Sequence, residues 1–427
     1  RVYISMDGVC PLAKGKQQRQ RRYKSMGMDK STFDRCAISP GTKFMKQLSK
    51  ELGKFVSSKL FRGVPVVLDD TAVLGEGEHK ILNDIRKLPK NNNETILIHG
   101  LDADLIMLSL SLHKSGIVLM RDDYNRETNE LNRQWLSVDA IHSTIASEQK
   151  SPKRFINDYI FLCFLGGNDF VPHLPSVEIR FGGIQGLVEC YQRFGKFIIN
   201  EDGLTINFIH LKQFLELLSK EEYHTLLDYQ RQYSRIPRGE IPPEMLYPVE
   251  DPIQYNKPGW TQRYRDLNGG GNGGTRDVCK NYIEMLTWNY KYYTGQSIDW
   301  QMVYKYSHAP LLKDLVNNFE RPELEIITEP NPLTPFELLM MVLPPDSAEL
   351  LPKKIAKLMT TELAEYYPLK VGVDKTHCFF EHQTKLVYPP LDVDYICLKI
   401  NEQLHKCSIK DVSRNNFNEP ISYPNAS

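Results

Sequence analysis

The sequence predicts an α/β domain built on a parallel sheet over residues 1–198, followed by a mainly helical second domain over residues 199–427. Two observations predict this. Over roughly the first 195 residues, short β-branched runs alternate with stretches whose apolar residues recur at helical spacing, the pattern of a parallel sheet with crossover helices. From about residue 200 the β-branched runs stop and aromatic-rich helical patterns take over.

In chain order, VYISMD (2–7), VPVVLDD (64–70), TILIHG (95–100) and GIVLM (116–120) are short and bounded by Gly or Asp, as buried parallel strands should be. Between them, residues 42–60 and 78–88 carry apolar residues at helical spacing. In such a domain, ligand groups gather at the C-terminal ends of the strands. An apolar helix is expected at 155–165 and another helical stretch at 211–233. A polar segment rich in Pro, Gly and Tyr follows at 234–278, and its NGGGNGG (268–274) reads as a mobile loop. Helical patterns resume at 279, and the stretch from about 390 has little periodicity and ends in a polar tail.

The composition narrows the function classes. With 41% hydrophobic residues among 427, the chain can bury a large core. Its 53 basic and 53 acidic residues cancel, so a nucleic-acid role must come from local patches rather than a general cationic coat. The eight cysteines (10, 36, 163, 190, 279, 378, 397 and 407) form no C-x-x-C pair, which fits reduced thiols and predicts a cytoplasmic location, with nuclear and viral-particle locations as alternatives. No apolar run approaches the ~18 residues of a membrane span, so no membrane partner is expected.

Six acids recur where one element gives way to the next. Asp7 ends the first strand, Glu76 and Glu78 lie in GEGEHK before a helix, Asp102 and Asp104 lie in GLDADL, and Asp169 lies in GGNDFVPH. Singly, each is an ordinary turn or capping residue. Together, with short Gly-rich flanks that let backbones approach, they make a carboxylate cluster. Such a cluster needs a divalent cation to neutralise it, and Mg²⁺ is the usual hard, oxygen-liganded choice. The matching chemistry is two-metal phosphodiester hydrolysis.

Just beyond Asp7, AKGKQQRQRRYK places six basic residues within positions 14–24 and no acid among them. On a helix, positions 14, 18, 21 and 22 fall within about 100° of one another. Lys14, Gln18, Arg21 and Arg22 then share a face suited to a doubly charged terminal phosphate, while Lys16, Arg19 and Lys24 point elsewhere.

The blocks DGVCPLAKGKQQRQRRY, ISPGTKFM, GEGEHKI, GLDADLIMLSL and FLCFLGGNDFVPHLPSVEIR resemble, in order, the signature of the Xrn-type 5′→3′ exoribonucleases. KPGWTQRYRDL (257–267), YIEMLTWNYKYYTGQSIDWQMVYKYSHAP (282–310) and TPFELLMMVLPPDSAELLP (334–352) resemble that family's helical second region. The resemblance implies a PIN/FEN-like, Rossmann-like nuclease domain. It also implies a processive enzyme that uses Mg²⁺ or Mn²⁺ to degrade single-stranded RNA bearing a 5′-monophosphate. Carried over residue by residue, Asp7, Glu76, Glu78, Asp102, Asp104 and Asp169 match the acidic metal site, and Lys14, Gln18, Arg21 and Arg22 match the 5′-phosphate pocket. Trp300 falls near a base-stacking position, with Met302 where the family usually has a second Trp, while Trp288 and Trp260 read as core residues. His79 and His173 read as supports for the acids or as structural histidines.

The resemblance also implies a strand ending in a metal-binding Asp, and a base-stacking His, ahead of residue 1. The chain opens at Arg1 on a strand-like run, and the expectation is an N-terminally incomplete fragment. Two rival readings follow: a catalytically impaired Xrn-like RNA-binding or structural module of a larger assembly, and a structure-specific DNA nuclease with a related acidic site.

Overall fold

A computed structural model describes residues 1–27, 33–58, 61–89, 94–100, 102–125, 130–147, 149–235, 252–269, 272–323, 330–376, 378 and 383–423. β1 (Val2–Ser5) leads through Pro11 into α1 (Leu12–Lys24). α2 (Lys43–Val56) starts at Thr42, whose hydroxyl accepts from the Met45 N–H, and is followed by β2 (Val66–Asp69). Glu76 stands at the N-cap of α3 (Gly77–Arg86). β3 (Ile96–His99) then precedes α4 (Asp104–Ser111), β4 (Ile117–Asn125) and β5 (Glu130–Ser137). Ser137 caps α5 (Val138–Ala146), Pro152 opens α6 (Pro152–Leu165), and α7 (Gly183–Phe194) closes on left-handed Gly195.

The second half brings α8 (Phe208–Ser219), α9 (Glu222–Arg235), α10 (Trp260–Asp266), α11 (Asn272–Tyr293), α12 (Leu312–Asn317) and α13 (Pro335–Val342). α14 (Lys353–Ala356), the hairpin of β6 (Gly372–Asp374) and β7 (Lys385–Val387), α15 (Val393–Leu404), α16 (Ile409–Val412) and β8 (Ile421–Tyr423) complete it. Among the described residues, no helix is long and apolar enough to cross a membrane.

The expected strands form, but not as one parallel sheet. There are two three-stranded sheets, β1-β2-β8 and β3-β4-β5, each a parallel pair with an antiparallel third strand. β5 is exposed along its whole length, so it lacked the apolar run that marks a buried strand; its backbone pairing with β4 is enough to hold it. The tail from residue 390 is likewise more ordered than its composition suggests. α15 buries Ile396 and Ile400, and β8 zips onto β2 with Leu68 opposite Ile421.

Two further expectations change. Residues 211–233 are two helices, α8 and α9, split at Lys220–Glu221. The split frees the Glu222 carboxylate to accept the Leu312 and Lys313 N–H groups at the start of α12, at 2.6 and 3.2 Å. Of the glycine run expected to be a mobile loop, residues 270–271 lie outside the described residues and 272–274 begin α11. The long apolar helix that follows propagates cooperatively over residues of poor intrinsic propensity.

Among the described residues, two large cores and a smaller one around Leu226, Ile253, Tyr255, Tyr264 and Leu311 hold the elements together. The first large core joins β3, β4, α4, α6, α7 and α8 with α11, whose Tyr282, Ile283, Met285, Leu286 and Trp288 are all essentially inaccessible. The second wraps α1 with α13 and α15. All eight residues of α13 are buried, and the Glu337 carboxylate at its start accepts the Thr334 N–H at 2.7 Å. The basic helix is therefore an interior element with one face left over.

Candidate metal centre and phosphate pocket

The acid edge is assembled by close backbone approach. Gly8 and the 73–77 loop touch so tightly that a Cβ on Gly8 would stand 1.8 Å from the Val73 carbonyl oxygen, which no other residue type tolerates. That contact sets Asp7 beside the start of α3, where its Oδ1 accepts the Gly77 N–H at 2.7 Å. One position earlier, Glu76 is buried. Its Oε2 pairs with Lys14 Nζ at 2.7 Å, and its Oε1 accepts the Tyr292 hydroxyl at 2.9 Å. The same Lys14 Nζ lies 2.7 Å from Asp169 Oδ2, and Gln17 Nε2 donates to Asp169 Oδ1 at 3.0 Å. Asp104, the first residue of α4, is hydrogen-bonded by Tyr293 and feels the charges of Asp169 and Asp102. Asp102 itself is exposed.

The structure thus gathers the predicted acids from four separate stretches of chain. It also places Lys14 among them rather than beside Arg22. Glu76, Glu78 and His79 offer ligand atoms that all lie within 4.8 Å of one another, a group that can hold a metal ion.

The electrostatics are those of a site short of positive charge. Burial, then the negative charges of Glu76 and Asp7, push Glu78 up to about 8. Burial raises Glu76 against the pull of Lys14 and Tyr292; burial and then Asp169 raise Asp104. Burial alone would lower Lys14, but Glu76 and Asp169 together outweigh it and hold the ammonium charged. His79 is driven well below its ordinary value by burial, then by Arg86 and Lys14, so its imidazole stays neutral. Carboxylate oxygens held this close suit a divalent cation, which would restore the ionised carboxylates.

The outer end of α1 is different. Arg22 Nη2 donates to Gln18 Oε1 at 3.3 Å, whereas its Nη1 is buried with no acceptor among the described residues. Burial lowers the pKa of this guanidinium. Arg21 is exposed beside it. Lys16 and Arg19 turn away, as the helical spacing predicts. Lys16 Nζ donates to the Tyr304 and Tyr306 carbonyls at 2.6 and 2.9 Å. Arg19 donates to the Met341 and Tyr366 carbonyls at 2.8 and 2.6 Å, with Tyr23, Tyr388 and Tyr367 rings 4.6, 4.9 and 5.4 Å from its guanidinium.

Trp300 is half-buried beside the start of α1. Its ring comes within 4.0 Å of a Cβ position on Gly75, and its carbonyl accepts the Leu12 N–H at 2.8 Å. Met302 packs on the first core. Trp288 is buried, and Trp260 stacks on Tyr223 at 5.7 Å. His173 lies against the Leu174 carbonyl at 3.0 Å, a structural contact.

Sequence reasoning missed Tyr292 and Tyr293. These neighbours in the last turn of α11 hydrogen-bond different carboxylates, Glu76 and Asp104. The Tyr292 ring also stacks on His79, centroids 3.7 Å apart. The available signal was a pair of tyrosines closing a helix rich in apolar and aromatic residues, since buried hydroxyls must find acceptors.

Comparison with known proteins fits this arrangement. The family model for the XRN 5′-3′ exonuclease N-terminus matches residues 1–123, and that for the Xrn1 helical domain matches residues 149–240 and 246–419. The 5′-3′ exoribonuclease 2 of Gallus gallus is 25% identical, the alignment covering 87% of this chain and 57% of the relative. For the 5′-3′ exoribonuclease 1 of Saccharomyces cerevisiae the figures are 23%, 99% and 39%, and for the 5′-3′ exoribonuclease 2 of Arabidopsis thaliana 24%, 87% and 54%. The chain spans about half the length of the curated relatives it matches. Since the two family models follow one another along most of the chain, it belongs to the Xrn family of 5′-3′ exonucleases.

Proposed function

We propose that this chain is a 5′→3′ exoribonuclease that uses Mg²⁺ or Mn²⁺ to degrade 5′-monophosphorylated single-stranded RNA processively to mononucleotides, on a PIN/FEN-like, Rossmann-like nuclease fold. The observation that carries the reading is Arg22. A buried guanidinium nitrogen with no acceptor among the described residues lies two turns, about 12 Å, along α1 from a lysine bonded to the acids. Buried charge without a partner is costly, and a terminal phosphate supplies the acceptor.

In this reading Gln18, Arg21 and Arg22 hold the 5′-phosphate. Asp7, Glu76, Glu78, Asp102, Asp104 and Asp169 hold the metal, which would activate a water and neutralise the leaving oxygen. Lys14 keeps Glu76 and Asp169 in register. Trp300 stacks on a base near the chain end without reading its identity, a contact worth about 1–3 kcal/mol. A reducing, cytoplasmic location is supported by the eight free thiols.

The test is a time course on 3′-labelled single-stranded RNA with Mg²⁺, comparing 5′-monophosphate with 5′-hydroxyl ends and RNA with matched DNA. Phosphate-dependent loss of RNA is expected, abolished in Asp102→Asn while RNA still binds. Arg21→Ala should erase the preference for the phosphorylated end. Equal decay of both ends would overturn the pocket, full activity of Asp102→Asn the metal assignment, and preferred decay of DNA the substrate.

A further inference from the structure

Behind the acid edge, a cavity of about 370 Å³ lies between α2, the turn after β2 and the C-terminal segment that ends in β8. A helix packed on a sheet normally presents apolar side chains there. At the cavity α2 instead presents Ser49 and Gly53, flanked by Lys46 and Lys50, with Thr42 at its N-cap. The charge balance is positive, since Lys46, Lys50 and Arg414 line the cavity and Asp70 is the acid among its lining residues.

Two buried polar atoms at this wall have no partner among the described residues. The Ser49 hydroxyl is one. The other is Arg414 Nε, on a side chain only 2% exposed whose Nη1 donates to the Gly41 carbonyl and whose Nη2 pairs with Asp411 at 2.9 Å. Leaving such groups unpaired is costly, and both call for an acceptor. Asp70 accepts the Ala72 N–H through Oδ1 at 2.9 Å, which leaves Oδ2 to accept from a hydroxyl.

We propose that this cavity binds a phosphate monoester of nucleotide size, its phosphate held by Lys46, Lys50 and Arg414 with the Ser49 hydroxyl, and its sugar hydroxyls directed to Asp70. Inorganic phosphate shares the recognised group. The site is separate from the phosphate face of α1, and its assignment does not rest on the nuclease reading. The cavity nonetheless adjoins the acid edge through the chain itself: Asp70, Thr71 and Ala72 line it, and Glu76 follows four residues later. A bound ligand would steady that connection.

The experiment is calorimetric titration of the full chain carrying Arg21→Ala with Arg22→Ala, in EDTA, which disables the acid edge and the α1 pocket together. The probes are AMP, inorganic phosphate and adenosine. One equivalent of AMP is expected to bind and phosphate to compete, with adenosine silent. Tighter binding of AMP than of phosphate identifies the nucleotide as ligand, and equal affinities identify phosphate. Ser49→Met, which removes the hydroxyl and narrows the cavity beside it, and the surface pair Lys46→Ala with Lys50→Ala should each weaken AMP by tenfold or more at unchanged melting temperature. Absence of AMP binding, affinity untouched by both variants, or adenosine binding as tightly as AMP would overturn the assignment. None of these outcomes depends on whether RNA is cleaved.

Discussion

Asp158 and Glu222 are as buried as Glu76, yet the two regions treat carboxylates in opposite ways. Asp158 accepts the Ile198 and Ile199 N–H groups at 2.9 and 2.7 Å and the Tyr191 hydroxyl. Glu222 accepts two N–H groups of α12. There the backbone answers the charge, and the values are raised by burial only to about 6 and about 7. At the acid edge Glu78 has its own N–H and two carboxylate neighbours, and it rises to about 8. Asp158 and Glu222 each accept two backbone N–H groups, whereas at the acid edge Glu76 and Asp169 share the single Lys14 ammonium and Glu78 faces like charge.

Removing one acid from each region separates the two roles most widely. Asp102→Asn should lower the cleavage rate by about 10²–10³-fold or more, the order lost with a group that stabilises transition-state charge; denaturant midpoints should not move. Asp158→Ala should do the reverse. It strands two buried N–H groups and a hydroxyl, costing about 3 kcal/mol, readable as a lower urea midpoint with metal affinity of the folded protein unchanged.

Tyr292→Phe probes the boundary between the regions. It keeps the ring on His79 and deletes the hydroxyl on Glu76. An outer-shell loss of this kind typically weakens metal binding by about 10-fold or more. Mn²⁺ titration followed by electron paramagnetic resonance would measure it, with the melting temperature in EDTA as control. Unchanged Mn²⁺ affinity would make this tyrosine a packing residue.

The smallest effect sharpens the structural side. Because burial holds Glu222 near 7 against an ordinary 4.5, the native state keeps a proton that the unfolded chain has released. Its contribution therefore makes stability fall as pH rises from about 4.5 to about 7, with no slope below that window. Glu222→Gln should flatten this part of the stability–pH curve; a slope identical to wild type would assign the titration elsewhere.

Much of the site was legible because its residues are local. Doubled acids in GEGEHK and LDAD announce themselves, and the spacing of α1 told Arg22 from Arg19 before any coordinates. What stayed hidden depends on contacts distant along the chain. Tyr292 reaches Glu76 across 216 residues, and Lys14 reads as one more cation until Glu76 and Asp169 close on it. β5 and β8 are strands by pairing rather than by composition, so polar sequences such as ELNRQWLS and ISY gave no apolar signal. The break between α8 and α9 falls within a continuous helical periodicity, and only the capping of α12 by Glu222 shows its use.

The enclosure of Arg19 has a mechanical consequence. A screw motion of α1 by a single residue would tear a guanidinium from two carbonyls and three aromatic rings, so the packing opposes any turn or slide of this helix. Under the proposed function, the interval between Arg22 and Lys14 would then be a rigid gauge block, and an enzyme built this way would advance by a constant stride.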